Sequence, residues 1–124
     1  MANILITGSR SITNTSFIFS KLKEELKEGD VLIHGGANGV DSIAQEFCDD
    51  NGFASVIIRP VDSSKGVYYL HRNAEMIGMA DRVIAFHDGV SRGTDFTIRY
   101  AKARNLDVKV FKEENLNQNK FEEE

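Results

Sequence analysis

Residues 31–59, VLIHGGANGVDSIAQEFCDDNGFASVIIR, hold a helix signal between two strand signals. Val31 to His34 and Ser55 to Arg59 are short aliphatic runs in which apolar residues follow one another without alternation, the pattern of strands covered on both faces. Between them Val40, Ile43, Ala44, Phe47 and Cys48 fall at i, i+3, i+4, i+7 and i+8, one face of a helix, and Asn51-Gly52 supplies a left-handed stop. Strand, glycine-rich turn, helix and strand in this order predict a parallel pair joined by a right-handed crossover.

The same alternation extends in both directions. Ile4 to Thr7 precedes the unit as a strand, and Arg82 to His87 and Val108 to Phe111 follow it. Ile18, Leu22 and Leu26 mark a helix from Thr15 to Glu28, closed by Gly29; Tyr69, Met76, Ile77 and Ala80 mark a third, and Phe96, Tyr100 and Ala103 a fourth that ends near Asn105. Nine alternating strand and helix segments predict an open parallel α/β sheet.

Length and charge bound the function classes. A chain of 124 residues can bury roughly two thirds of its unfolded surface, so it forms one domain with a real core and leaves no room for a second. The single cysteine, Cys48, forms no internal bridge, and the three histidines, His34, His71 and His87, show no zinc-ligand spacing, so neither a metal nor a cofactor is expected. A reducing cytoplasm fits this usage. No apolar run approaches the ~20 residues that span a bilayer, and Met1-Ala2-Asn3-Ile4 enters a strand with no basic leader, so neither export nor a membrane partner is expected. Residues 113–124 hold five Glu and one Lys and account for the whole net charge of −4, which leaves 14 acidic and 14 basic side chains in residues 1–112. A neutral body argues against a protein that grips nucleic acid by bulk charge. The expected organisation is a ligand-binding domain over residues 1–112 and an acidic tail over 113–124.

In open α/β sheets ligands sit beyond the carboxyl ends of the strands. Thr7-Gly8-Ser9-Arg10 follows the first strand, His34-Gly35-Gly36-Ala37-Asn38-Gly39-Val40-Asp41 the second, and His87-Asp88-Gly89-Val90-Ser91-Arg92-Gly93-Thr94 the fourth. Six of the ten glycines lie in these loops: Gly8, Gly35, Gly36, Gly39, Gly89 and Gly93. Glycine lets backbone approach a ligand, and the helix start behind it offers unpaired N–H groups to a phosphate. For any single loop the alternative is a tight turn and nothing more. No G-x-G-x-x-G follows the first strand and no Gly-Lys-Ser/Thr occurs, so dehydrogenase and Walker-type ATPase classes drop away.

These motifs resemble the SLOG superfamily, the Rossmann-like group that includes DNA-processing protein A (Smf), the Lonely Guy phosphoribohydrolases and small stand-alone YspA-like proteins. His34 to Ala44 is similar to its first glycine motif, Arg72-Asn73-Ala74-Glu75-Met76 to the Arg-led start of its third helix, and Ser91-Arg92-Gly93-Thr94 to its second motif. The YspA-like group is the nearest match. The resemblance implies a nucleotide phosphate at Gly36, Gly39, Gly93 and Thr94, with Arg72 as cationic partner, and a homodimer or higher homo-oligomer. It also implies a departure: where Lonely Guy enzymes carry the Glu of Gly-Thr-x-x-Glu, this chain has Thr97.

The expected fold is a single Rossmann-like domain with a five-stranded parallel sheet in order 3-2-1-4-5 and helices on both faces. The expected function is binding of a nucleotide or nucleotide-derived small molecule. Gly8, Ser9, Arg10, Gly35, Gly36, Ala37, Gly39, Asn73, His87, Gly89, Ser91, Gly93 and Thr94 are its candidate ligand contacts. Any reaction there would be hydrolysis or transfer at an N-glycosidic bond, with Arg72, Asp41 and Asp88 as candidate catalytic groups. The alternatives are single-stranded DNA binding of the DprA kind and a non-catalytic nucleotide sensor or scaffold. Arg72, read as the start of a helix that disfavours cations there, is a phosphate ligand or a solvent-facing arginine. Asp41 is a ligand contact or a helix-capping acid, and His34 and His87 are ligand donors or hydrogen-bonded strand ends. Of Tyr68 and Tyr69, one is expected in the core and the other is free to stack on a base.

Overall fold

The computed structural model describes residues 1–62 and 64–112; the acidic tail expected over residues 113–124 lies outside them. The elements run β1 (Asn3–Gly8), α1 (Thr15–Glu25), β2 (Val31–His34), α2 (Val40–Asn51), β3 (Ala54–Ile57), α3 (Gly66–Met79), β4 (Arg82–His87), α4 (Arg92–Ala103) and β5 (Asp107–Lys112). The five strands form one parallel sheet in the order β3-β2-β1-β4-β5, with Leu5 of β1 opposite Ile33 of β2 on one side and Val83 of β4 on the other. The sequence-based order therefore matches the observed one.

The continuous apolar runs of β1, β2 and β4 are explained by burial on both faces, because successive strand residues point to opposite sides. The edge strands β3 and β5 are exposed to half-buried, so the expectation of double cover fails at Ser55 to Arg59 and Val108 to Phe111. Ile4, Ile6, Leu32, Ile84 and Phe86 pack with Ile18 and Leu22 of α1 and Val40, Ala44 and Phe47 of α2. Leu5, Ile33 and Val83 pack on the other face with Met76 and Ile77 of α3 and Ala101 of α4. Cys48 is buried in the first of these cores, and burial pushes its thiol up to about 11, which keeps it an unreactive thiol.

The helix boundaries follow local chemistry. Asn14 caps α1 by accepting the Phe17 N–H, and Gly52, at φ 73°, ends α2 in the left-handed conformation. Asn105, at φ 61°, turns the chain out of α4. Two further expectations need correction. The buried face of α4 is Thr94, Thr97, Ile98 and Ala101, not the Phe96, Tyr100 and Ala103 stripe. Thr97 can face inward because its hydroxyl donates to the Gly93 carbonyl at 3.0 Å, while Phe96 and Tyr100 pair with each other at 5.6 Å along the half-exposed side. In addition, α3 begins at Gly66, so Arg72 lies nearly two turns inside the helix and the dipole argument about its first turn does not apply. No helix among the described residues is long and apolar enough to cross a membrane.

Candidate ligand-binding cleft

The strand order reverses between β1 and β4, and a cleft of about 380 Å³ opens there beyond their carboxyl ends. Thr7, Gly8, Arg10 and Ser11 supply the wall after β1, and Asp88, Ser91, Gly93 and Thr94 the wall after β4. Ala37 and Asp41 enter from the β2 side, and Tyr69, Arg72, Asn73 and Met76 come from α3. Four segments far apart in sequence thus meet at one opening.

Two of its walls are tied together. Ser9 is buried, its N–H donates to the Phe86 carbonyl at 3.0 Å, and its hydroxyl oxygen accepts the Asp88 N–H at 3.1 Å. Gly8 lets α2 approach β1, since a Cβ there would run into the Val40 side chain and lie 2.8 Å from the Phe86 carbonyl. Ser9 is therefore a bolt behind the cleft wall rather than part of its lining.

Strands β2 and β4 end in the same device. His34 Nδ1 accepts the Gly36 N–H at 3.1 Å, and His87 Nδ1 accepts the Gly89 N–H at 3.0 Å. Each glycine has a positive φ, 70° at Gly36 and 93° at Gly89, a conformation that a side chain would strain. An Nδ1 that accepts leaves the ring proton on Nε2, and in His34 that nitrogen faces Gln45 Oε1 at 2.7 Å. Both histidines are buried and neither lines the cleft. Of the two open alternatives, the geometry is that of the hydrogen-bonded strand end.

The glycine loop after β2 differs from a phosphate cradle in one respect. The N–H groups of Gly35 and Ala37 both donate to Asp41 Oδ2, at 3.1 and 3.2 Å, and that of Gly36 goes to His34. Those amides are already occupied by the chain's own acceptors. Asp41 is buried; desolvation pushes its carboxyl above the usual range, against the lowering effect of the Ala37 amide, His34, Arg72 and the Gly35 amide. Gly39, at φ 80°, packs against the backbone of Arg10, which a Cβ would meet at 2.7 Å.

At the start of α4 donors remain. Ser91 caps the helix, its Oγ accepting the Thr94 N–H at 3.3 Å and donating to Thr94 Oγ1 at 3.1 Å. The amides of Arg92 and Gly93 have no acceptor among the described residues. Asp88 shapes this loop: Oδ1 accepts the N–H groups of Val90 and Ser91 at 2.9 and 2.8 Å, and Oδ2 accepts the Ser11 hydroxyl at 2.7 Å. Burial alone would push its carboxyl up, but these donors together hold it well below the usual range. A carboxylate so saturated is a loop clasp and a poor proton acceptor.

Arg72 is the central side chain of the α3 wall. It is only 7% exposed; Nη1 donates to the carbonyls of Gly35 at 2.6 Å and Ile58 at 3.3 Å, and Nε donates to Asn73 Oδ1 at 2.8 Å. The solvent-facing alternative is thereby overturned. Its guanidinium carbon lies 5.3 Å from the Tyr69 ring centroid, and that of Arg10 lies 5.1 Å from the same ring. Neither Tyr68 nor Tyr69 belongs to the core: both are half-buried, and Tyr68 instead meets His71 edge-on.

Of the expected site residues, the cleft gathers Gly8, Arg10, Ala37, Asp41, Arg72, Asn73, Asp88, Ser91, Gly93 and Thr94. Ser9, Gly39, His87 and Gly89 stand behind it, and Gly35 and Gly36 line an adjoining hollow. Thr7, Ser11 and Met76 were missed as contacts; Thr7 reads from sequence as the end of a strand, Ser11 sits in a loop with no regular spacing, and Met76 reads as core alone. Among the described residues no group of three or more His, Cys, Asp and Glu side chains could hold a metal ion.

A five-stranded parallel sheet of this order, with a cleft at the reversal point and helices on both faces, defines a Rossmann-like α/β protein. The profile of the "YspA, cpYpsA-related SLOG family" matches residues 2–63, and the chain belongs to that family. It is 31% identical over 119 residues to the Gene 61 protein of Mycobacterium phage D29, an alignment covering 87% of this chain and 94% of the phage protein. Among solved structures, DNA processing protein A (DprA) from Streptococcus pneumoniae superposes with a TM-score of 0.76 at 18% identity, over 89% of this chain and 50% of that one. DprA from Helicobacter pylori, described for its single-stranded DNA binding mode, gives 0.73 at 22% identity over 88% of this chain and 64% of its own. The protein TM1055 gives 0.66 at 20% identity over 87% and 72%. This chain thus spans only half to two thirds of the DprA chains, and the likeness to these structures is one of fold.

Proposed function

We propose that the cleft binds a nucleotide or nucleotide-derived small molecule. One observation carries this: the buried guanidinium of Arg72 and Gly93, whose amide is unengaged at the start of α4, line the same 380 Å³ opening. Its volume lies in the range of small-ligand sites, and helix-start amides and an arginine fork are complementary to phosphate. Arg10 and the Thr94 hydroxyl add further donors.

The closing experiment is a calorimetric titration with adenosine 5′-monophosphate on protein shown by mass spectrometry to be ligand-free. Saturable binding that weakens when Gly93→Pro distorts the start of α4 is the expected result. No heat from any of the common mononucleotides overturns the proposal.

Catalysis has weaker support. The position equivalent to the Lonely Guy glutamate is Thr97, fully buried with its hydroxyl bonded to Gly93, and Asp88 is saturated by donors. We therefore favour a binding protein, a nucleotide sensor or scaffold, over an N-glycosidic hydrolase. Single-stranded DNA is the second ligand class, favoured by the fold shared with the Helicobacter DprA. A homo-oligomer in the cytoplasm completes the proposal; Val67, Leu70 and Met79 are apolar and exposed on α3.

A further inference from the structure

Beside the cleft lies a second hollow of about 300 Å³, between the glycine loop and the segment after β3. It shares Arg10, Ala37, Tyr69 and Arg72 with the cleft and adds Arg59 and Gly36. Three arginines from three different loops or helices therefore converge on one small volume. Elsewhere Arg82 pairs with Glu25 at 2.6 Å and Arg99 with Asp95 at 2.8 Å, while Arg92 and Arg104 are exposed at opposite ends of α4. Among the described residues no carboxylate lies within ion-pair distance of Arg10, Arg59 or Arg72. Asp41 is an acid close enough to be felt by Arg72, but its Oδ2 is taken by two backbone amides.

The loop is shaped to hold these guanidiniums. Arg59 Nη1 donates to the Gly36 carbonyl at 3.4 Å as Arg72 Nη1 does to that of Gly35, and with Arg72 Nε on Asn73 the Nη2 groups of both arginines remain to donate. A Cβ at Gly36 would lie 2.7 Å from Arg59 Nη1, and one at Gly35 would run into the Arg72 guanidinium. Gly35 thus leaves room for the buried Arg72 guanidinium, and Gly36, already held to glycine by its φ of 70°, leaves room for that of Arg59. Unpaired like charges held together repel one another, and an anion relieves that repulsion.

We infer that this hollow is a second anion subsite, and that the ligand is a nucleotide bearing a second phosphoryl group, one group in the cleft and the other among Arg10, Arg59 and Arg72. The inference rests on the proposal that the cleft binds a nucleotide, and it adds the chemical class of the ligand. Arg10 and Arg72 serve both subsites, so Arg59 is the side chain that reports on the second alone. It is exposed and bonds only weakly to the loop, so its removal leaves the fold intact.

The test is calorimetric titration of the full chain with adenosine 5′-monophosphate, adenosine 5′-diphosphate and adenosine 3′,5′-bisphosphate, repeated on Arg59→Gln and on Arg104→Gln, an exposed arginine beside Tyr100 on α4. At least one of the doubly phosphorylated ligands should bind about tenfold or more tighter than the monophosphate. Arg59→Gln should abolish that difference without weakening the monophosphate, and Arg104→Gln should leave it. Equal affinities in the parent protein, or a preference that Arg59→Gln leaves untouched, overturn the second subsite while the cleft stands. A preference lost equally in Arg104→Gln makes it a bulk-charge effect and overturns it too. No binding of any of the three removes both proposals.

Discussion

Arg72 on α3 reaches across 37 residues of sequence to donate from Nη1 to the carbonyl of Gly35, at 2.6 Å, and Gly35 is a position where any side chain would enter that guanidinium. The glycine and the arginine form one unit. The loop after β2 thus acts less as a nest of free amides than as a bracket that fixes a cation at the cleft.

Arg72→Ala should therefore damage both fold and binding. The side chain is buried and satisfies two carbonyls and Asn73, so its loss should cost about 1.5 to 3 kcal/mol of stability. An arginine in solvent would cost almost nothing. Arg72→Lys keeps the charge but loses the fork, and urea denaturation should place it between the parent protein and the alanine variant. Nucleotide affinity measured on folded Arg72→Lys should fall by about tenfold, since one bidentate pairing is worth roughly a kcal/mol or more.

Asp88→Asn should cost about 2 kcal/mol at neutral pH, because the carboxylate accepts from Ser11, Val90 and Ser91. The sign with pH follows from a carboxyl whose folded value lies below its unfolded one. Its stabilisation is fully present above the ordinary carboxylate value of 3.8 and is lost as pH falls below it. Denaturation of parent and variant at neutral pH and near pH 3 should show the gap between them narrowing in acid. A gap that widens in acid would contradict the geometry. Asp41, displaced upward by burial, works in the opposite sense: stability falls as pH rises from 3.8 through its raised folded value, so Asp41→Asn should benefit at neutral pH relative to acid.

Free base should not be released from nucleoside monophosphates at a rate above background, as followed by chromatography over hours. Thr97→Glu should not restore such a reaction. Position 97 has no exposed surface, and an unpaired carboxylate there should destabilise the fold by about 3 kcal/mol or more. A folded, active Thr97→Glu protein would show that the wall of α4 is free to move.

Oligonucleotide binding should be weak and vanish by physiological salt. With Arg10, Arg59 and Arg72 as the cations at the opening, the log–log salt slope on a labelled poly-dT strand should not exceed about 2, at roughly 0.7 per phosphate on single strands. Fluorescence anisotropy across a salt series measures it. A steeper slope with tight binding at physiological salt would put single-stranded DNA first.

The fold was legible because its signals are local and repeated. Ile4 to Thr7, Val31 to His34 and Arg82 to His87 read as doubly covered strands without any knowledge of their neighbours, and Gly52 reads as a helix stop from one residue. The site was legible only by position. Gly93 and Thr94 reach the cleft as expected, yet nothing local says that the Gly35 and Ala37 amides turn inward to Asp41. The start of α3 was misplaced because Lys65 offers no side-chain cap, and the buried face of α4 because inward threonines count as polar in any periodicity. Arg59 and Tyr69 carry no spacing that joins them to Arg10; only the folded sheet does.

The bond from the Asp88 amide to Ser9 spans 79 residues and fastens the wall after β1 to the wall after β4. A polypeptide emerging from the ribosome would therefore complete both glycine-rich loops of its first half long before any opening existed to receive a ligand. A truncated product ending ahead of β4 would carry Arg10 and Gly35 to Gly39 and still lack Asp88, Ser91, Gly93 and Thr94, one wall of the cleft. The cleft is in this sense available only to a chain whose fourth strand has been added to the sheet.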